Sequence, residues 1–253
     1  MNPYLKNVNK IEFVVTDACT GRCRHCSQGE HVGCAKRIDP AVAADAVRKI
    51  AAEYDVQTVM TFGGEPLLHA EAVYAIMKAA KELHIPRRQV ITNGCFTKSI
   101  AKMHEVAARL AESGVNDLLL SVDAFHQECL PLGTVLAFAR EVLAVHIPVR
   151  ISPAWLVSRV DDNPYNCKTC ELLEAFADLG IPIGEGNVIF PEGNARKYLS
   201  DYFTGELPVN PYEESPDDVR CISFSANGDV LGGNVYQRDV LEIMASYSLN
   251  QTL

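Results

Sequence analysis

Three cysteines crowd into one short segment, Cys19-Thr20-Gly21-Arg22-Cys23-Arg24-His25-Cys26, with the spacing CxxxCxxC. Cysteine thiolates are soft ligands, and three in one loop point to zinc or to an iron–sulfur cluster. Zinc takes four closed ligands, and His25 or His31 is available as the fourth. A [4Fe–4S] cluster held by the same three thiolates leaves one iron open to an outside ligand. The spacing alone leaves both chemistries standing. The chain holds nine cysteines in all. Cys167 and Cys170 form a CxxC pair, while Cys34, Cys95, Cys129 and Cys221 are scattered.

A loop of ligands needs a scaffold, and the pattern around it is regular. Ile11 to Thr16 is β-branched and aromatic and reads as a strand that delivers the triplet at its end. Strands are expected at 58–62, 89–92, 117–122, 149–154 and 183–190, and helices at 40–54, 70–83, 98–113, 131–145 and 167–179. Alternating strands and helices imply parallel strands joined by crossovers. Six strands are too few for a complete eight-stranded barrel. After Pro191 the chain turns rich in Gly, Pro, Tyr and acid, and Asn227-Gly228 marks a hairpin between two short strands, followed by a helix over 240–247. The expected organisation is an α/β barrel unit over 1–190 with a hairpin-plus-helix appendage over 191–253.

The 253 residues, 48% hydrophobic and 22% charged, suffice for a buried core and exclude a disordered or disulfide-dependent chain. No apolar run reaches about 18 residues, and the first ten lack the layout of a signal peptide. A net charge of −9 argues against nonspecific binding to nucleic acid or to anionic membranes. The chain reads as cytosolic, where thiols serve metal or redox chemistry more often than disulfides.

With CxxxCxxC directly after its first strand, the sequence resembles the radical S-adenosylmethionine (radical SAM) enzymes. Phe62-Gly63-Gly64-Glu65-Pro66 looks like the GGE motif of that family; Ile91-Thr92-Asn93-Gly94 and Ser121-Val122-Asp123 match its motifs at the ends of the third and fourth strands. The resemblance covers residues 10–190 and implies a partial (β/α)6 barrel. It implies that Cys19, Cys23 and Cys26 bind a [4Fe–4S] cluster whose fourth iron takes the amino and carboxylate groups of SAM. Gly63 and Gly64 are then expected beside the methionine amino group, which side-chain-free backbone can approach, and Glu65 adds negative charge there. Ser121 and Arg150 are candidates for the SAM carboxylate, Asn93 and Asp123 for the ribose or methionine end, and Val188 for the adenine. Each has a plainer reading: turns for the glycines and Asn93, an ion pair for Arg150, and core for Val188.

Three further residues are catalytic candidates. Asp123 and Glu128 offer acid–base chemistry at the pocket mouth or fix the loop, and Cys95 is a hydrogen-atom donor or a small buried hydrophobe. His25 stands where the family often has an aromatic residue; it reads as a solvated loop histidine or a group that tunes the cluster. Cys221 opens a segment that resembles a truncated SPASM/twitch extension, and with Cys167 and Cys170 it offers three thiols for a second metal. The expected substrate is a peptide or protein; a small metabolite or nucleotide is the alternative, and a non-catalytic zinc or Fe–S protein is the reading of a different class. A reductase, flavodoxin or ferredoxin is the implied electron donor.

Overall fold

The structure, a computed structural model, describes residues 2–31, 36–205 and 208–249; Cys34 lies outside them. Strands and helices alternate: β1 (Lys10–Val14), α1 (Pro40–Glu53), β2 (Thr58–Phe62), α2 (Ala70–Glu82), β3 (Arg87–Thr92), α3 (Ile100–Ser113), β4 (Asp117–Ser121), α4 (Ala124–Gln127), α5 (Leu132–Ala144) and β5 (Val149–Ser152). Next come β6 (Ala154–Trp155), α6 (Pro164–Glu174), β7 (Asn187–Val188), α7 (Gly193–Tyr198), β8 (Cys221–Phe224), β9 (Asp229–Val230), β10 (Gly233–Asn234) and α8 (Val240–Ser246). Local chemistry sets the helix starts. Asp39 caps α1 by accepting from the amides of Ala41 and Val42, with Pro40 in the first turn. Ser99 caps α3, which Gly114 ends with a left-handed φ of +94°.

The central sheet has six parallel strands in the order β5-β4-β3-β2-β1-β8. Its outward-facing side chains, among them Ile11, Phe13, Val59, Val90, Leu118, Leu120 and Ile151, are fully buried in the core that also holds the apolar faces of α1, α2, α3 and α5. Among the described residues no pairing joins β8 back to β5, so the sheet is an open, partial barrel.

The expected sixth strand is corrected. Residues 183–190 supply only the two-residue β7, paired with β6, and a bridge from Ile183 to Ile151. The sixth strand of the sheet is β8, from the segment expected as an appendage. It pairs with β1 in parallel, Lys10 with Cys221 through Phe13 with Phe224, and the last two rings stack at 4.6 Å. The Asn227-Gly228 turn forms, with Gly228 at φ +85° and its amide donating to Ser225. It leads from β8 into β9, and the antiparallel pair that follows is β9 with β10.

One charged network stabilises the amino-terminal half of the sheet. Asp117 accepts from Arg150 (2.7 to 3.0 Å), Arg87 (2.7 Å) and Gln89 (2.7 Å), so three strands share one carboxylate. Burial alone would raise the Asp117 carboxyl, but Arg150, Arg87 and Gln89 outweigh it and hold it below its ordinary 3.8. A depressed carboxylate stabilises the fold above its unfolded pKa, and that stabilisation is lost as pH falls through the folded value. Asp117→Asn is therefore expected to cost about 1–2 kcal/mol at pH 7, a figure reduced because the guanidinium groups are 37% and 50% exposed. The gap from the parent protein should close in thermal melts as the pH falls below 3.8. A gap that stays constant down to pH 2 would contradict this account.

Candidate active site

All the strand-end motifs open on the same side of the parallel sheet, where such folds carry their chemistry. The loop after β1 is a tight turn in which the Cys26 amide donates to the Cys23 carbonyl (3.2 Å). A methyl on Gly21 would lie 3.2 Å from Cys23 Sγ and 3.7 Å from Cys19 Sγ, so the two thiols flank one small residue. Each thiol of the triplet has a polar neighbour of its own. Cys19 Sγ accepts from the Gly21 amide (3.3 Å) and Asn93 Nδ2 (3.7 Å). Cys26 Sγ lies 3.3 Å from His31 Nε2, whose Nδ1 donates to the Asp17 carbonyl (2.7 Å). Cys23 Sγ lies 3.9 Å from the thiol of Cys129. Burial pushes the Cys19 thiol up to about 11; at Cys26 burial also raises the thiol, but the His31 contact outweighs it and leaves it below 9.0.

The Gly63-Gly64-Glu65 loop serves this turn directly. The Gly64 amide donates to Thr16 O and that of Glu65 to Ala18 O, both at 2.8 Å, which extends the β1–β2 pairing to the residue before Cys19. Gly63 has φ +138°, and a Cβ on Gly64 would fall 2.2 Å from Ala18 O. Close approach is thus the reason for both glycines, and the partner seen is the cysteine loop. Glu65 has no exposed surface and turns its carboxylate inward. It accepts from Leu67 N (3.0 Å), Thr92 Oγ1 (2.7 Å) and Asn93 N (2.8 Å), which locks β2's end to β3's. Burial pushes its carboxyl up to about 7 against the pull of those donors. Asn93 also accepts from the Cys95 amide (2.8 Å) and donates to Thr20 Oγ1 (3.3 Å).

After β4, Asp123 caps α4 and is fully buried. It accepts from His126 N (3.0 Å), His126 Nδ1 (2.7 Å) and Ala154 N (3.1 Å). His25 packs on Phe125 (5.0 Å) and His126 (4.8 Å), and its Nδ1 is buried with no hydrogen-bond partner. Burial pushes His25 down to about 4; the residue is half-buried against Phe125 and His126, not the solvated loop histidine expected here. Glu128 forms a two-pronged ion pair with Arg24 of the cysteine loop, and Arg24 lies over the Tyr165 ring at 5.3 Å. Ser121 is half-buried at the end of β4, paired with Ser152.

The expected residues do not all meet. Cys19, Cys23, Cys26, Gly63, Gly64, Asn93 and, through hydrogen bonds, Glu65 form one connected group. Arg150 shares a sheet face with Ser121 by strand alternation, but its guanidinium is committed to Asp117. Val188 is half-buried on β7, opposite Trp155. Cys95 is buried, and burial raises its thiol. Cys167 contacts Asp162 (3.3 Å) and is exposed; Cys221 lies on β8 with Glu12 among the groups acting on its thiol. Cys167 and Cys170 are exposed on α6, while Cys221 is half-buried on β8.

Two residues near the triplet carried no signal in the sequence. Asn194 is buried and clamps the cysteine turn, its amide donating to Cys26 O (2.8 Å) and its Nδ2 to Cys23 O (3.1 Å). Cys129, counted as scattered, abuts Cys23.

The donor set fits the group that the resemblance implies: three thiols on one loop, each with a polar group at its sulfur of the kind that tunes iron–sulfur clusters. Cys23 Sγ with the ring nitrogens of His25 and His126, all within 4.8 Å, also makes a possible site for a single metal ion.

The chain is 23% identical over 231 residues to a probable GTP 3′,8-cyclase of Methanocaldococcus jannaschii, covering 88% of this chain and 72% of that one. It is 26% identical over 125 residues to the GTP 3′,8-cyclase of Rhizobium meliloti, covering 49% of this chain but only 35% of that enzyme. Among solved structures, Streptococcus suis SuiB bound to its precursor peptide SuiA superposes with a TM-score of 0.66 at 15% identity, over 98% of this chain and 68% of that one. The enzyme anSMEcpe with bound AdoMet gives 0.61 at 13%, over 94% and 80%. The Radical SAM superfamily profile matches residues 13–195, and the chain belongs to that superfamily, whose enzymes use a [4Fe–4S] cluster and SAM.

Proposed function

We propose that this chain binds a [4Fe–4S] cluster through Cys19, Cys23 and Cys26, cleaves SAM reductively and abstracts hydrogen from a peptide or protein. The observation that carries this is the pinning of the Gly63-Gly64 loop to the cysteine turn at the shared end of β1, β2 and β3. The bound cluster and SAM would supply a 5′-deoxyadenosyl radical. The chain's own residues hold the geometry. Gly63, Gly64, Asn93 and Ser121 line the strand ends where SAM would sit. Asn194 and Glu65 fix the two loops, and the Phe125–Tyr165 stack (4.5 Å) and His25 pack apolar surface beside α4. Asp123 and Glu128 are assigned positioning roles, through Ala154 and Arg24 respectively.

A peptide substrate is supported by the fold shared with SuiB, solved with a precursor peptide. The second reading, a nucleotide substrate, is favoured by the curated relatives, which are GTP 3′,8-cyclases. The electron donor is proposed to be a flavodoxin, ferredoxin or reductase, and the compartment the reducing cytoplasm. No helix among the described residues is long and apolar enough to cross a membrane.

Anaerobic reconstitution with iron and sulfide, then dithionite and SAM, tests the chemistry through 5′-deoxyadenosine on a chromatogram. Product is expected from the parent chain and a loss of at least 100-fold from Cys23→Ala, with the barrel still folded by circular dichroism. Tightly held zinc in the isolated protein and no SAM binding would overturn the proposal. Product formation with GTP added, measured beside unmodified peptides, separates the two substrate readings.

A further inference from the structure

Four thiols, not three, meet at the proposed cluster. Cys129 follows α4, over 100 residues from the triplet in sequence, yet its Sγ lies 3.9 Å from that of Cys23. Its orientation is fixed from two sides. The Arg22 amide donates to Cys129 Sγ (3.3 Å), which occupies a sulfur lone pair, and the Cys129 S–H points within 3.4 Å of the His126 carbonyl. The sulfur that Arg22 holds therefore keeps its proton free for an acceptor. Two acceptors are in reach, the neutral His126 carbonyl and Cys23 Sγ. Once Cys23 is an anionic iron-bound thiolate it is the stronger of the two, because hydrogen bonds to charged acceptors exceed those to neutral ones.

The spacing also argues against Cys129 as a ligand to a different iron. Thiolates on separate irons of a cubane must stand farther apart than two sulfurs in van der Waals contact. The role that fits is a donor to a ligand. Cys19 already receives such a bond from Asn93 and Gly21, and Cys26 has His31 at its sulfur. Cys129 completes the set at Cys23.

We propose that Cys129 is a positioning residue for the cluster: its thiol donates an S–H···S hydrogen bond to Cys23 and raises the cluster's reduction potential. This rests on the assignment of the triplet as cluster ligands. A hydrogen bond to a ligand sulfur withdraws electron density and favours the reduced, more negative cluster. The donor therefore eases the electron transfer that must precede SAM cleavage.

The test uses the reconstituted full chain without SAM and reads the midpoint potential by titration followed with electron paramagnetic resonance. Cys129→Ala is expected to load iron and sulfide like the parent chain and to titrate at a lower potential. Cys129→Ser, which keeps a proton donor, should lie closer to the parent. Electron–nuclear double resonance should show an exchangeable proton coupling in the parent that weakens in deuterated water and is missing in Cys129→Ala. Equal potentials in all three proteins would overturn the proposal. So would failure of both variants to load iron, which would make Cys129 a ligand or a structural thiol. Failure of the parent chain to bind any cluster would instead sink the assignment of the triplet on which the proposal rests.

Discussion

Gly64→Ala is expected to abolish cluster assembly, with iron incorporation at least tenfold below the parent chain and a stability loss of about 3 kcal/mol or more. The added Cβ would lie 2.2 Å from Ala18 O, 2.6 Å from Ala18 C and 2.9 Å from Asp17 O. All three are backbone atoms, so no side-chain rotation relieves the clash. The loop has to move, and two hydrogen bonds hold it in place, Gly64 N to Thr16 O and Glu65 N to Ala18 O. Ala18 precedes Cys19, so any displacement passes straight into the ligand turn. Gly133→Ala is the matched control: nothing lies within 4 Å of its Cβ position, and it sits in α5, where alanine favours the helix. Iron assays and thermal melts of the two variants decide the matter. A Gly64→Ala chain that loads iron normally would show that the close approach of these loops is not needed for the site.

The glycine pair illustrates what was legible in the sequence. Gly-Gly after a strand implies backbone in close contact with something, and that is so. The contact observed is the neighbouring ligand loop, which only the pairing of β1 with β2 could reveal. The triplet and the strand-end motifs were readable because their signal lies within a few residues. Arg150 lies on the expected fifth strand, but near its amino end rather than its carboxyl end, and its commitment to Asp117 depends on the β4–β5 register and on Arg87 and Gln89 from a third strand. Cys129 and Asn194 had no signal, since each reaches the cysteine turn by tertiary closure, one through α4 and the other through α7. The parallel pairing of β8 with β1 joins residues more than 200 apart. The local turn signal at Asn227-Gly228 was real, and it concealed that longer-range partner.

Asp123→Asn is expected to cost about 3–5 kcal/mol near pH 6, the range for removing one partner of a buried ion pair. Asp123 is entirely buried, and its two oxygens face donors only: His126 N on one, His126 Nδ1 and Ala154 N on the other. An asparagine keeps one acceptor and turns an NH2 group toward at least one N–H, leaving a buried donor unpaired. Burial alone would raise the Asp123 carboxyl, yet the charge and hydrogen bond of His126 outweigh it and hold it down to about 2. Burial likewise lowers His126, and the Asp123 charge more than offsets this, so its pKa ends above 6.5. The signs define a window. The aspartate contribution is present above 3.8 and lost only as pH falls toward about 2. The histidine contribution is fully present below 6.5 and is lost as pH rises through its raised folded value. The deficit of Asp123→Asn should therefore be largest between those limits and shrink in alkali as His126 becomes neutral. A double-mutant cycle with His126→Gln, measured by denaturant melts at pH 6 and pH 9, isolates the pair from the Ala154 bond. Coupling that is the same at both pH values would mean that loss of the His126 proton does not weaken the contact across that range. In that case the charge balance at α4 would not be what keeps His126, and with it His25 and the Cys129 contact, against the cysteine turn.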